Sequence, residues 1–130
     1  MLGSNPTWHQ KANIAIYSCG PKARLSHLSV LQLFDLVPIN DRNKTIHVLN
    51  PRKDYRAQDM HFHRSISIRE LDLNNQSFGI KHVTLERALI DSCGLLNERQ
   101  LSFIFDTMLS KRLIDPDKIN QLLKDLKPAP

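Results

Sequence analysis

Residues 78–96 read FGIKHVTLERALIDSCGLL, and the reading of this stretch decides the fold. Phe78, Ile80 and Val83 are apolar and β-favouring, so Gly79 to Val83 is predicted as a short strand. Thr84 offers a hydroxyl to the first free N–H groups of a helix, and Glu86 places negative charge in its first turn. Leu85, Ala88, Leu89 and Ser92 recur at helical spacing, with Ile90 and Leu96 extending the stripe. A strand running directly into a capped helix is the unit of a mixed α and β domain. Arg87 and Asp91 lie four apart, hence side by side on that helix. The ordinary expectation is a solvated ion pair of small energetic worth. The sharper alternative is a partly buried pair locking the helix to a strand.

Working outward, Thr45 to Leu49 (TIHVL) is a strong short strand. Met60 to Ser67 (MHFHRSIS) alternates, with Met60, Phe62, Arg64 and Ile66 on one face and His61, His63, Ser65 and Ser67 on the other. The NNQS run before Phe78 carries a turn. Helices are expected near 8–18, 26–36, 85–95, 98–110 and 116–126. Cys19-Gly20-Pro21 ends the first, Ser26 caps the second and Pro38 closes it. Asn97 with Gln100 suggests a capping box, and Asp115-Pro116 opens the last helix. The last two helices are expected to pair, with Phe103 or Phe105 against Leu122. The fold class is therefore α+β: a small three-stranded sheet (45–49, 60–67, 78–83) flanked by about five helices. It forms a single domain over 1–130, with 1–7 and 127–130 as flexible ends.

The 130 residues suffice for one core and not for two. No apolar run approaches the ~20 residues of a membrane span, and the N-terminus lacks the charged-then-apolar pattern of a secretory signal. Cys19 and Cys93 are then expected to be free buried thiols in a reducing cytoplasm, with no membrane partner. The net charge of +5 is uneven. Residues 42–69 hold seven basic side chains (Arg42, Lys44, Arg52, Lys53, Arg56, Arg64 and Arg69) against two acidic ones, Asp54 and Asp59. Such an excess attracts polyanions. Tyr55 among Arg52, Lys53 and Arg56 adds a ring for stacking on a base. The candidate nucleic-acid-binding set is Lys44, Arg52, Lys53, Tyr55 and Arg56.

Catalytic signatures are lacking. Ser26-His27 has no glycine-flanked elbow, and adjacent side chains seldom meet, so Ser26 is expected to act as a cap. Cys93 lies in an apolar helical run and is expected to be core. The four glycines are widely separated and form no phosphate loop. His61 and His63 project from one strand face, and His47 or His82 would complete a zinc site. With no Cys or carboxylate at ligand spacing, the expectation is surface histidines and no metal or other cofactor. The second helix is Leu-, Val- and Phe-rich and lacks a series of side chains that read base edges, so it is not expected to be a recognition helix. The expectation is a binding protein, not an enzyme.

The ordered segments KARLSHLSVLQLFDL, TIHVLNPR, HFHRS, GIKHVTLERALIDSC and KRLIDPDKINQLL span most of residues 8–126. Together they resemble the core domain of AbiEi-type antitoxins, from type IV toxin–antitoxin systems, and its actinobacterial relatives. The pieces carrying the resemblance include Ser26, His27, Arg64, Thr84, Arg87 and Asp91. It implies a cytoplasmic, non-catalytic α+β domain with a part in DNA-binding transcriptional regulation, whose partners are DNA and a cognate toxin or endonuclease domain. Those antitoxins usually carry a winged-helix head, and related chains continue into a Vsr-like endonuclease domain. These 130 residues have room for neither, so the expectation is a minimal member or a fragment. The alternative reading is a protein-interaction or scaffold domain normally joined to such an endonuclease.

Overall fold

A computed structural model describes residues 7–50, 60–63 and 75–126, excepting the side chains of 122, 123, 125 and 126. The chain runs α1 (Trp8–Ser18), β1 (Arg24–Leu25), α2 (His27–Leu33), β2 (Ile46–Leu49), β3 (Met60–His63), β4 (Asn75–Ser77), β5 (Ile80–His82), α3 (Leu85–Asp91), α4 (Glu98–Ser110) and α5 (Pro116–Leu126). The class is α+β as expected, but the described sheet has five strands in the order β3-β2-β1-β5-β4. β1 pairs antiparallel with β2 and parallel with β5, β2 and β3 are parallel, and β4 and β5 form an antiparallel hairpin. Among the described residues no helix is long and apolar enough to cross a membrane.

β2 is buried throughout, as suits a strand with both faces covered. On one face lies α1, where the Cys19 thiol meets the Met60 sulfur at 3.7 Å and the Asn50 amide donates to the Cys19 carbonyl. The opposite face carries His47, His61 and His63, and α2 packs there. Among the described side chains α2 is the most thoroughly buried helix, with Leu28 through Leu33 all buried, which weighs against a base-reading helix. Ser29 Oγ accepts from the His47 N–H, and the Gln32 amide donates to the Asn43 carbonyl, so polar atoms on α2 pin it to the start of β2.

Two strands were not expected from the sequence, and Phe78 lies in a turn and not in the expected strand 78–83. β1 is two residues long, too short for alternation to register. β4 is Asn75-Gln76-Ser77, polar along its length. The turn lies one step later than NNQS suggests, at Phe78 (φ 54°) and Gly79 (φ 76°), between the paired Ser77 and Ile80. Two consecutive positive φ values are the pattern of a type I′ hairpin turn, which favours Asn-Gly. Phe78 is 73% exposed, so it gains little burial for its strained backbone. Phe78→Asn is therefore expected to stabilise the fold by about 0.5–1 kcal/mol. A urea midpoint that falls on this substitution would contradict the turn assignment.

The starts of α3, α4 and α5 agree with the sequence, whereas α2 ends at Leu33, short of the expected 36. Thr84 accepts from the Arg87 N–H, and Asn97 with Gln100 forms a complete capping box. Asp115 Oδ1 accepts from the Asp117 N–H at the start of α5. Glu86 is buried and does more than charge its own helix: its carboxylate accepts from the Asp115 N–H at 3.1 Å. This bond couples α3 to the head of α5, and α5 packs chiefly on α3. Of the two aromatic side chains expected to meet Leu122, Phe103 is 69% exposed and does not pack inward, whereas Phe105 is partly buried against the core beside Ile104 and Met108. Leu122 falls among the side chains outside the description. α3 also ends earlier than expected, at Asp91, so Cys93 lies beyond it and is exposed, while Cys19 is buried.

Candidate functional site

Four imidazoles gather on the α2 side of the β2–β3 pair. The parallel register sets His47 opposite His61, and His63 follows two residues on, so all three point from one face. His47 Nδ1 and His63 Nε2 are 2.8 Å apart, a hydrogen bond with one proton between two nitrogens. The His61 and His63 rings stack at 4.3 Å, and the His47 and His61 centroids are 5.3 Å apart.

The fourth ring, His27, is held by the backbone. Its φ of 54° lies in the left-handed region, which histidine tolerates better than most side chains. That conformation lays the ring on His63 at 3.6 Å and 13°. Ser26 Oγ lies 2.8 Å from His27 Nδ1, so the adjacent side chains do meet, against expectation. Ser26 stands at the N-cap position of α2 but makes no side-chain cap bond, because its hydroxyl serves the imidazole. Ser26 is completely buried and thus out of reach of a substrate; its hydroxyl holds the tilt of the His27 ring.

Behind His27 stands the pair from the opening stretch. Arg87 Nε donates to Asp91 Oδ2 at 2.8 Å, with side-chain exposures of 4% and 15%. The solvated pair is thereby corrected to a largely buried one, which braces α3 against α2, not against a strand. Its charge reaches the imidazoles. His27 is pushed down to about 3, by burial first and then by the charges of His63, His47, Arg87 and His61. His47 and His63 fall to about 4, through burial and the neighbouring rings. At neutral pH these three rings are uncharged and keep lone pairs for a Lewis acid or a hydrogen-bond donor.

Of the resemblance-bearing residues, the five that are described form one connected group. Thr84 caps the turn holding Arg87, Arg87 binds Asp91 and faces His27, and Ser26 orients His27. Arg64 lies outside the described residues, as do Arg52, Lys53, Tyr55 and Arg56. Lys44 and Arg42 are exposed in the turn before β2, where the Lys44 carbonyl accepts from the Trp8 indole and its ammonium lies 3.8 Å from Asp41. His82 is remote from the cluster: its ring bonds the Val83 carbonyl and the Ser77 hydroxyl. The sequence therefore supplied His47, His61 and His63 as a possible group, but not His27, whose place depends on a left-handed backbone with no sequence signature.

No family model, no curated protein and no solved structure matches the chain.

Proposed function

We propose that this chain is a non-catalytic binding module of nucleic-acid-associated regulation, similar to the AbiEi-type antitoxin core, that holds polyanions through its basic segment 42–69. One observation carries the reading: seven basic side chains against two acidic ones in a stretch anchored by β2 and β3. Arg42 and Lys44 add exposed charge at the entry of β2. Phosphate contact by such side chains is sequence-tolerant and strongly salt-dependent. The described residues that carry the resemblance, Ser26, His27, Thr84, Arg87 and Asp91, lie in one connected group of the fold. The complete burial of Ser26 and the low proton affinity of His27 weigh against a Ser–His nucleophile.

Fluorescence anisotropy with a mixed-sequence DNA duplex tests the proposal. Binding is expected at low salt and is expected to weaken steeply as salt rises. The triple variant Arg52→Ala/Lys53→Ala/Arg56→Ala is expected to lose at least about tenfold in affinity and to reduce the salt slope by about 3. Wild-type protein that fails to bind even at low salt would overturn it. That result would favour a protein-interaction domain instead. The relevant feature there is a cleft of about 540 Å³ between the end of α1 and the β4–β5 hairpin, bordered by the exposed Tyr17.

A further inference from the structure

The geometry points to a divalent transition-metal site formed by His47, His61 and His63, selective for ions that favour imidazole nitrogen, with zinc(II) as the reference ion. This goes beyond the polyanion reading and rests on different residues. One ligand nitrogen from each of the three side chains lies within 4.8 Å of the others. The arrangement follows from the sheet: a cross-strand pair (His47 opposite His61) and an i, i+2 pair (His61 and His63) converge on one face of two parallel strands.

The donor set selects the ion. Three neutral nitrogens with no carboxylate among them suit zinc, copper or nickel and not calcium or magnesium, which require oxygen. Three protein ligands also leave one tetrahedral position for water or an exogenous ligand. The spacing of two of the nitrogens is close to what coordination needs, and the His61 ring, stacked on His63, must turn to aim its lone pair at the ion. Zn–N bonds of about 2.0–2.1 Å at a tetrahedral angle put ligand nitrogens about 3.3 Å apart. His47 and His63 now stand at 2.8 Å and would open by about half an ångström. His61 is exposed on β3 and has the torsional freedom to close the third side.

The proton balance is favourable too. The hydrogen between His47 Nδ1 and His63 Nε2 is replaced by the metal, and each ring carries its proton on its other nitrogen. His27, stacked on His63 and tied to Ser26, is a positioning residue that limits the rotation of the His63 ring.

The test is calorimetric titration of the untagged full chain with zinc chloride in a chelator-free buffer at pH 7.5, with the visible spectrum of added cobalt(II) as an independent report of tetrahedral nitrogen coordination. One metal per chain at micromolar affinity or tighter is expected. His61→Asn, at an exposed position, is expected to keep the circular dichroism and apo melting temperature of the wild type while weakening zinc binding at least about tenfold. His9→Asn, on the exposed face of α1, serves as the control and is expected to change nothing. Absence of saturable zinc binding by the folded wild type would overturn the site. Stoichiometric binding that His61→Asn leaves unchanged would overturn the ligand assignment and with it the proposal.

Discussion

Arg87→Met is expected to lower folding stability by about 3 kcal/mol, read from urea unfolding. Arg87 is 4% exposed and lies in a helix otherwise packed by Leu85, Ala88 and Leu89. Its guanidinium sits 2.8 Å from the Asp91 carboxylate, itself only 15% exposed. Removing the cation leaves a carboxylate in a poorly solvated place beside α2, and that loss dominates the change. An exposed i, i+4 pair would contribute at most about 0.5 kcal/mol, so the burial decides the magnitude. The double variant Arg87→Met/Asp91→Leu is expected to recover much of the loss, since it removes both charges together. The coupling from this double-mutant cycle is the decisive quantity. A loss below about 1 kcal/mol for Arg87→Met would return the pair to the solvated class. A second readout is local: the Arg87 charge helps to depress His27, so the His27 titration is expected to move upward in the variant.

The same two residues show what a sequence can and cannot carry. That Arg87 and Asp91 are neighbours follows from helical spacing, and that Thr84 caps them follows from its chemistry. Whether the pair faces water depends on α2, sixty residues earlier, and periodicity within one helix holds no record of what packs against it. All five helices were legible because each carries an apolar stripe or end signals near its bounds. The strands were legible where β-favouring apolar residues cluster or alternate, as in β2, β3 and β5. β1 joins β2 to β5 with two residues, so its identity lies in its partners and not in its composition. The histidine group shows the same limit. H-x-H on a strand gives His61 and His63 a common face, but the parallel register that adds His47 is a tertiary fact. His27 enters through a left-handed residue adjoining a serine whose usual office is capping. The basic segment is the reverse case: it is fully legible as charge, and its key residues 52–56 lie outside the described structure.

Acid is expected to destabilise the protein in a pH range where carboxylates barely titrate. With chelator present to keep the histidines metal-free, stability from urea unfolding is expected to fall by about 3–4 kcal/mol between pH 7 and pH 5. The sign follows from the depressed proton affinities. An unfolded histidine takes up its proton near pH 6.5, whereas folded His47 and His63 do so only near 4, and His27 near 3. Below about 6.5 the unfolded chain therefore binds more protons, and stability declines as pH falls until the folded rings protonate as well. Their contribution is fully present above pH 7. A tenfold change in proton affinity is worth about 1.4 kcal/mol, so a well-desolvated ring such as His47, 6% exposed, contributes about 2 kcal/mol over this interval. His27 and His63 are half-buried and contribute less because water screens them. The groups facing the cluster reinforce the effect. His47 comes from β2, His61 and His63 from β3, His27 from the start of α2 and Arg87 from α3, and a first proton on any ring raises the cost of the next. Asp91 opposes this only through the arginine it already neutralises. His47→Gln is expected to flatten the slope between pH 7 and pH 5 by about a third to a half, whatever it does to stability at pH 8. A wild-type stability that stays level from pH 7 to pH 5 would mean that the rings accept protons inside the fold at little cost. The cluster would then be a solvated patch, and the buried stack on β2 and β3 would be wrong.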